Sequence, residues 1–481
     1  MTADPFPNYI AGTWVAGGDA APNINPSDLN DTIGEYARAS DQQTLEAIEC
    51  AATAFPKWRS SSPLVRFEAL DRIGSEILAR VDELGDMLSR EEGKTLSEAK
   101  AEAHRAGHLF KYFAAEAYRA TGDTYQSLRE GVSLKVLREP IGVVGVITPW
   151  NFPLAIPAWK IAPALAYGNT VVFKPAELVP GSAWMLSDII ARAGLPDGVF
   201  NLVMGKGREV GEAIVTHPKV AGVTFTGSTP VGRKMGAALF ARGAKMQLEM
   251  GGKNPLIVLD DADLDLAVRC AIQGSFYSTG QRCTASSRLI VTEGIHDKFV
   301  SAMTTAINKL RIGDARAPDT QIGPVASADQ FRIDLDYIVR GQAQGAELIS
   351  GNQITLNTPG HFLEPALFIG ADAQMDISRD EIFGPIAAVL RVPDYDAALE
   401  TSNDCEFGLS AGIVTRDATK IDHFTQNAEA GMIQVNLPTA GMDFHAPFTG
   451  RKGSSYGAPE KGKYCREFFT AAKVVHAGRG Q

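Results

Sequence analysis

Cysteine is scarce in this chain of 481 residues. The five cysteines lie at positions 50, 270, 283, 405 and 465, and no two of them form a Cys-x-x-Cys pair. This wide spacing and odd number favour neither a disulfide framework nor a zinc cluster. The eight histidines show no His-Glu-x-x-His or comparable spacing, so no metal site is predicted. We therefore expect a reducing, cytoplasmic compartment.

Long apolar runs and runs of basic residues are also missing. No apolar run reaches the ~18 residues that would indicate a membrane span. The N-terminus has no basic segment followed by an apolar one, as a secretory signal would. The net charge of −10 comes from 46 basic and 56 acidic residues. Such a balance argues against nucleic acid or an anionic membrane as a partner.

The chain does contain two series of short, β-branched apolar runs separated by helical segments. After an N-terminal region of helical periodicity, the first series begins at Gly142 and includes predicted helices at 154–167 and 180–193. The second begins near 254–261. Strands buried on both faces and alternating with helices indicate parallel sheets. The sequence therefore predicts an α/β fold with two lobes, joined near Glu249–Asn254.

Two further segments have the alternation of exposed strands. Residues 124–139 alternate about Gly131, which predicts a hairpin. The tail at 464–478 is a β-like run with no obvious partner. It fits either a strand that pairs between subunits or a strand added to the chain's own sheet.

One cysteine lies in a setting that suits a nucleophile. Cys283 stands in TGQRCTAS, with a loop before it and a helix or turn predicted after it. A helix N-terminus and the adjacent Arg282 would both favour the reactive thiolate. The alternative is a buried, inert cysteine.

Two further polar residues are candidates for a role in a binding or catalytic site. Asn151, in PWNFP, offers an amide donor to an oxyanion at the carboxyl end of a strand. Glu249, in LEMGGKNP, precedes two glycines that permit close backbone approach. Each also has a simpler interpretation, as a turn asparagine or a solvated carboxylate.

Other segments suit a phosphate-containing ligand. Lys174 and Glu177, in FKPAE, directly follow a strand. FTGSTPVG at 225–232 places glycines and hydroxyls at a predicted helix start. MGKGREVG at 204–211 nearly matches Gly-x-Gly-x-x-Gly, but its last glycine comes one residue late, so it is weak evidence alone.

The order of these motifs, followed by EIFGP at 381–385, resembles the aldehyde dehydrogenase superfamily over essentially the whole chain. The pair LE-x-GGK and GQ-x-C is the most specific part; Met250 stands where many members have leucine. The resemblance implies that Cys283 is the nucleophile, Asn151 an oxyanion donor and Glu249 the general base. It also implies two Rossmann-like open parallel-sheet lobes and a β-hairpin oligomerisation element.

The resemblance further implies a bound dinucleotide, with NAD preferred and NADP as a second cofactor. A carboxylate at Glu177 suits the ribose hydroxyls of NAD and repels a 2′-phosphate. The residues expected to contact the dinucleotide are Ile147, Thr148, Trp150, Lys174, Glu177, Gly207, Gly227, Ser228, Glu381 and Phe383.

Longer stretches look most like the α-ketoglutaric semialdehyde (2,5-dioxovalerate) dehydrogenases, which implies an aldehyde substrate with a distal carboxylate. The residues expected to line the substrate pocket are Phe152, Ile156, Trp159, Arg282, Phe444 and Phe448. Arg282 would either face that carboxylate or turn away towards a surface acid. Succinate semialdehyde, glutarate semialdehyde or another small aldehyde is an alternative substrate. The alternative functions are a catalytically inactive cofactor-binding subunit, a CoA-acylating enzyme and a cysteine acyltransferase without redox chemistry.

Domain limits follow from the same resemblance. Residues 1–123 and 139–249 are expected to bind NAD(P), and residues 250–437 to form the catalytic domain. Residues 124–138 and 455–481 are expected to join subunits into a homodimer or homotetramer.

Overall fold

The computed structural model describes residues 4–119 and 122–478. Residues 1–3 and 120–121 of the predicted segment 1–123, and residues 479–481 of the predicted segment 455–481, lie outside the described residues. The α-helices are α1 Asp41–Arg59, α2 Pro63–Ala79, α3 Val81–Glu92, α4 Leu96–Arg119, α5 Ala155–Ala166, α6 Pro180–Ala191, α7 Glu212–Thr216, α8 Thr229–Ala241, α9 Leu264–Ser275, α10 His296–Ile307, α11 Ala328–Ala343, α12 Asp376–Arg379, α13 Tyr395–Asn403, α14 Ala418–Asn427 and α15 Arg466–Phe469. The β-strands are β1 Asn8–Ile10, β2 Thr13–Val15, β3 Asp19–Ile24, β4 Thr32–Arg38, β5 Asp123–Gln126, β6 Val132–Pro140, β7 Val143–Ile147, β8 Thr170–Lys174, β9 Phe200–Leu202, β10 Val220–Thr226, β11 Lys245–Glu249, β12 Asn254–Val258, β13 Ser286–Thr292, β14 Glu347–Ser350, β15 Ala366–Ala371, β16 Ile386–Val392, β17 Phe407–Gly408, β18 Ser410–Val414, β19 Met432–Val435, β20 Arg451–Lys452, β21 Ser455–Tyr456 and β22 Thr470–Gly478.

The first large sheet has the strand order β2-β1-β9-β8-β7-β10-β11-β21. Its central strands β9, β8, β7, β10 and β11 are parallel, and antiparallel strands close both edges. Parallel strands end at the same edge of a sheet, and here the register aligns Ile147 with Lys174 on one side and with Phe225 on the other. Thr226 then aligns with Glu249. Residues predicted to bind cofactor and to act as base therefore end neighbouring strands.

The second large sheet has the order β14-β15-β16-β13-β12-β18-β19, and all of its strands except β14 run parallel. Strand β11 of the first sheet ends at Glu249 and β12 of the second begins at Asn254. The chain passes between the sheets where the sequence predicts a join. Both sheets are covered by helices, and the strands β7, β8, β12 and β18 are buried throughout, as strands covered on both faces should be.

A third sheet stands apart from the other two and has the order β22-β6-β5. β5 and β6 form the predicted hairpin, and Gly131 in its turn has a φ of 71°, a left-handed value that favours glycine. The tail strand β22 pairs antiparallel with β6 from Thr470 to Gly478. Of the two interpretations of the tail, a strand added within the same chain is the one observed. Within the described residues the outer edges of β5 and β22 have no strand partner.

The N-terminal helices are defined by their caps. Helix α1 begins with a capping box in which Ser40 and Gln43 each accept a hydrogen bond from the other's backbone N–H. Helix α3 ends at Gly93, whose φ of 95° reverses the chain directly before Lys94. That reversal brings Lys94 into the interior beside the loop that carries Asn151. No helix of residues 4–119 and 122–478 is long and apolar enough to cross a membrane.

Candidate active site

Two cavities meet at Cys283. The first has a volume of about 490 Å³ and lies between the first sheet and the 381–383 loop. The second, of about 170 Å³, is lined by α4, α5 and the loop before β21. Cys283 and Ile156 line both cavities. The sulfur therefore stands where two differently lined spaces adjoin.

The loop before Cys283 has an unusual backbone. Ser278, Thr279 and Gly280 all have positive φ values, of 52°, 55° and 67°. Such values are costly for residues with a Cβ and persist only where the surroundings hold them. Glu98 on α4 accepts hydrogen bonds from both the backbone N–H and the hydroxyl of Ser278, each at 2.9 Å. The loop is thus fixed from the helical layer.

Cys283 itself lies in a turn and not at a helix N-terminus. The turn closes with a hydrogen bond from the Ala285 N–H to the Arg282 carbonyl at 3.0 Å, and strand β13 begins at Ser286. Burial, together with the charges of Glu381, Glu249 and Glu460, raises the pKa of the Cys283 thiol well above its ordinary value. The expectation of a helix N-terminus at Cys283 is therefore wrong, because a turn leads directly into β13. The thiolate and the Arg282 cation do stabilise each other, but burial and the nearby acids have the larger effect on the thiol.

The second of the two glycines after Glu249, Gly252, packs against the backbone of Cys283. A Cβ on Gly252 would lie 2.4 Å from the carbonyl oxygen of Cys283, so only glycine fits there. The same carbonyl accepts a hydrogen bond from the side-chain amide of Asn254 at 2.7 Å. The GGKN part of the motif therefore sets the position of the Cys283 turn.

Asn151 follows β7 and is buried beside the Cys283 loop. Its side-chain nitrogen donates to the Gln281 carbonyl at 3.0 Å, which leaves its second N–H for another acceptor. Its backbone carbonyl accepts from Lys94 Nζ at 2.6 Å. Lys94 also donates to Glu102 at 2.6 Å, and the other carboxylate oxygen of Glu102 accepts the N–H of Ala155 in the first turn of α5. This buried network holds the amide at the first cavity, which Asn151 lines.

Glu249 ends β11 and is buried. Its carboxylate accepts a hydrogen bond from the Ser455 hydroxyl at 2.5 Å and does not line either cavity. Burial, followed by the charge of Glu460, raises its pKa well above the usual range for a carboxyl group. Its charge in turn raises the pKa of Cys283, so the two groups interact. A change of rotamer away from Ser455 would be needed for Glu249 to reach the cavity.

Sequence reasoning missed the buried carboxylate of Glu460. It accepts from Trp159 Nε1 at 2.6 Å and from Lys160 Nζ, and Lys160 also donates to Thr224 at 2.8 Å. These contacts join α5, β10 and the loop after β21 beneath Glu249. The EKGK sequence carries no signal for this, because a charged loop is ordinarily solvated.

The first cavity brings together half of the residues predicted for the cofactor: Trp150, Gly227, Ser228, Glu381 and Phe383. The Trp150 and Phe383 rings meet edge to face at 5.4 Å. One oxygen of Glu381 accepts the Gly252 N–H at 2.8 Å, and burial raises the pKa of this carboxyl to about 7. The 13-residue helix α8 begins just after Ser228, and Gly227 and Ser228 line the cavity, so the N-terminus of this helix adjoins it. These residues fit a dinucleotide with a ribose and a pyrophosphate.

The other five predicted cofactor residues lie at or shortly after the ends of β7, β8 and β9 and do not line this cavity: Ile147, Thr148, Lys174, Glu177 and Gly207. Thr148 N–H donates to the Lys174 carbonyl at 3.2 Å. Glu177 accepts the Gly207 N–H at 3.1 Å. Lys174 Nζ donates to the Pro175 carbonyl at 2.8 Å, and burial lowers its pKa to about 8. The Thr148 hydroxyl is buried without a partner among the described residues.

The second cavity brings together five of the six residues predicted for the substrate: Phe152, Ile156, Trp159, Arg282 and Phe448. Trp159 and Phe448 stack with ring centroids 5.7 Å apart. Phe444 is the exception, because its ring stacks on His108 of α4 at 5.5 Å and does not line the cavity.

Arg282 lines the second cavity but does not pair with a surface acid. One nitrogen of its guanidinium donates to the Gln273 carbonyl, and Nε is buried without a partner among the described residues. The cavity contains two further cations that sequence reasoning missed, Arg105 and Lys461. Arg105 is one of many basic residues on helical patterns, so only the contact with the cavity distinguishes it.

Comparisons with known proteins agree with this architecture. A sequence model described as the aldehyde dehydrogenase family matches residues 14–475. An α-ketoglutaric semialdehyde dehydrogenase of Bacillus subtilis is 42% identical over 97% of both chains. A 2,5-dioxopentanoate dehydrogenase of Saccharolobus solfataricus is 39% identical over 98% of both chains. A crystal structure of betaine aldehyde dehydrogenase from Staphylococcus aureus in complex with NAD+ superposes with a TM-score of 0.95, at 31% identity, over 98% of this chain and 95% of the other.

Proposed function

The chain belongs to the aldehyde dehydrogenase family and is an NAD(P)-dependent aldehyde dehydrogenase, and from this premise we propose that Cys283, Asn151 and Glu249 carry the reaction. The observation that carries the proposal is the position of Cys283 between a cavity fitted for a dinucleotide and a second, partly aromatic cavity. Each reactant then reaches the sulfur from its own side. A catalytically inactive subunit is not favoured, since the relatives are dehydrogenases.

We propose that Trp150, Glu381 and Phe383 hold the nicotinamide end of the dinucleotide, with Gly227 and Ser228 under the pyrophosphate. Ile147, Thr148, Lys174, Glu177 and Gly207 are proposed for the adenosine end. The chemistry that the bound dinucleotide supplies is acceptance of a hydride at its nicotinamide ring. Glu177 is already a hydrogen-bond acceptor, and a carboxylate repels a 2′-phosphate, so NAD is proposed as the preferred cofactor over NADP.

In the first chemical step, the Cys283 thiol gives its proton to solvent and the sulfur bonds to the aldehyde carbon. The electron pair of the carbonyl moves to oxygen, and the free N–H of the Asn151 amide, with the Cys283 backbone N–H, donates to that oxyanion. Losing one such donor costs roughly 2.7–4 kcal/mol of transition-state stabilisation. Departure of the hydride leaves the acyl group attached to Cys283 as a thioester.

In the second step, Glu249 removes a proton from water, and the resulting hydroxide attacks the thioester. The carbon–sulfur bond breaks, so that the carboxylic acid leaves and Cys283 is regenerated. The raised pKa makes the ionised carboxylate a stronger base, and the carboxyl group must be ionised before it can accept the proton. Aldehyde, water and oxidised cofactor are thereby converted into carboxylic acid, reduced cofactor and a proton.

We propose α-ketoglutaric semialdehyde as the substrate, with 2-oxoglutarate as the product. Two relatives with near-complete coverage bear that activity in their names, and Arg282 lines the second cavity. A glutarate-semialdehyde dehydrogenase of Pseudomonas aeruginosa is 36% identical. Glutarate and succinate semialdehyde are therefore the alternative substrates.

The proposal is tested by following NADH absorbance with a panel of aldehydes, with NAD or NADP, and with or without CoA. We expect the highest kcat/KM with α-ketoglutaric semialdehyde and NAD, no requirement for CoA, and no turnover by Cys283→Ala. A requirement for CoA would contradict the role of Glu249. Higher kcat/KM with NADP would contradict the role of Glu177.

We also propose that the sheet of β5, β6 and β22, from segments 124–138 and 455–481, joins subunits into a homodimer or homotetramer. Its exposed apolar side chains, such as Tyr125 and Val474, and its two unpaired edges support this role. Residues 1–123 and 139–249 are proposed as the NAD(P)-binding domain and 250–437 as the catalytic domain. Gel filtration with light scattering measures the assembly, and a monomer at micromolar concentration would contradict it.

A further inference from the structure

Three cations line the second cavity: Arg105 from α4, Arg282 beside the nucleophile, and Lys461 after β21. Within the described part of the chain, none of them forms an ion pair with an acidic side chain. Burial lowers the pKa of both Arg282 and Lys461, and the nearby charge of Arg105 lowers it further. Three like charges around one small space are unfavourable unless an anion enters it.

Lys461 is the most buried of the three, with 1% of its surface exposed. Among the described residues its ammonium makes one hydrogen bond, to the Asp443 carbonyl at 3.2 Å. It lies over the rings of Trp159 and Phe448, 5.2 and 5.3 Å from their centroids. An ammonium with three donors and one neutral acceptor is poorly compensated in a buried site.

The two carboxylates that line the same cavity accept hydrogen bonds from other residues. Glu98 accepts four hydrogen bonds, two from Ser278 and two from Thr95. Glu102 accepts from Lys94, with which it forms a buried ion pair, and caps the start of α5. Among the described residues neither acid forms an ion pair with the three cations, although the charge of Glu98 raises the pKa of Arg282.

We propose that Lys461 and Arg105, with Arg282 on the wall beside Cys283, bind the distal carboxylate of the substrate and so determine its class. This inference rests on the proposed function. The stacked Trp159 and Phe448 rings and the Ile156 side chain would contact the carbon chain between carboxylate and aldehyde. A carboxylate has four lone-pair sites and can accept from more than one of these donors.

The test compares two substrates that differ only in the charged group: glutarate semialdehyde and pentanal, both with five carbons. With the wild-type enzyme we expect kcat/KM to favour glutarate semialdehyde. Lys461→Met should lower kcat/KM for glutarate semialdehyde about 10- to 100-fold, mainly through KM, and change that for pentanal by less than about threefold. Arg105→Gln should act in the same direction.

Two further variants keep the result interpretable. Lys461→Arg retains the charge and should recover a large part of the lost kcat/KM. Lys463→Met removes an exposed lysine two positions along and should leave both substrates unchanged. An equal loss with both substrates in Lys461→Met would overturn the inference, and so would no loss with either.

The inference and the proposed substrate can fail separately. If the enzyme oxidises glutarate semialdehyde with the expected Lys461 effect but not α-ketoglutaric semialdehyde, the named substrate is wrong and the carboxylate site stands. If it oxidises α-ketoglutaric semialdehyde well and Lys461→Met has no effect on it, the dehydrogenase stands and the carboxylate site is wrong.

Discussion

Replacing Glu249 with glutamine removes the base proposed for thioester hydrolysis but keeps the size of the side chain. The Ser455 hydroxyl, which donates to the carboxylate at 2.5 Å, can donate equally to the amide oxygen of glutamine. The substitution also removes one of the charges that raise the pKa of Cys283. Formation of the thioester should therefore be no slower in Glu249→Gln than in the wild type.

The loss should appear only in hydrolysis. General-base assistance contributes about 10²- to 10⁴-fold to such a step, which corresponds to roughly 3–5 kcal/mol of activation free energy. The steady-state kcat of Glu249→Gln should fall by that factor. The first turnover should still release one NADH for each Cys283.

Stopped-flow absorbance of NADH measures both quantities in one experiment. We expect a burst of one equivalent per active site, followed by a slow steady state. Glu347→Gln, on an exposed strand of the second sheet, is the matched control and should behave as the wild type. A steady-state rate of Glu249→Gln within a few-fold of wild type, or a missing burst, would refute the role assigned to this carboxylate.

Three further predictions follow from contacts around the site. Gly252→Ala places a methyl group 2.4 Å from the carbonyl oxygen of Cys283. Overpacking of this kind costs about 1–3 kcal/mol and should lower kcat/KM more than about tenfold. The control is Gly18→Ala, which has open space around the added methyl group and should leave kcat/KM unchanged. Because the pKa of Cys283 is raised, its alkylation by iodoacetamide in the free enzyme should accelerate with pH well above about pH 8, and a plateau at neutral pH would contradict this. Burial raises the pKa of Asp334 to about 8, against about 4 in the unfolded chain, so stability is lost as pH rises between these values. The Tm of Asp334→Asn minus the Tm of the wild type should therefore increase from acid to alkaline pH. A difference that does not change with pH would show that Asp334 is not protonated in the folded protein.

The parts of the fold that could be predicted are those that depend on residues close together in the sequence. The strand series beginning at Gly142 and at 254–261 are near-continuous runs of buried, β-branched residues, and both parallel sheets are observed. Gly131 marked the hairpin turn because its left-handed φ needs glycine. The family resemblance is confirmed by the match over residues 14–475.

The parts that could not be predicted depend on contacts between distant segments. Phe444 looked like a pocket residue, yet it stacks on His108, more than 300 positions earlier in the chain. Arg105 and Lys461 belong to a helix and a loop whose local patterns give no sign of a shared cavity. The protonation state of Cys283 depends on how much water the fold excludes, and neighbours in sequence do not report that.

The C-terminal segment links the second cavity to the sheet of β5, β6 and β22, for which different roles are proposed. Residues 462–469 connect Lys461, on the wall of the second cavity, to strand β22. In this connector Cys465, Phe468 and Phe469 are buried in the core of the first lobe. The connector is therefore anchored in that core, with the proposed carboxylate site at one end and the sheet proposed to join subunits at the other. Loss of the last strand should consequently weaken the proposed association between chains and leave discrimination among aldehydes unchanged.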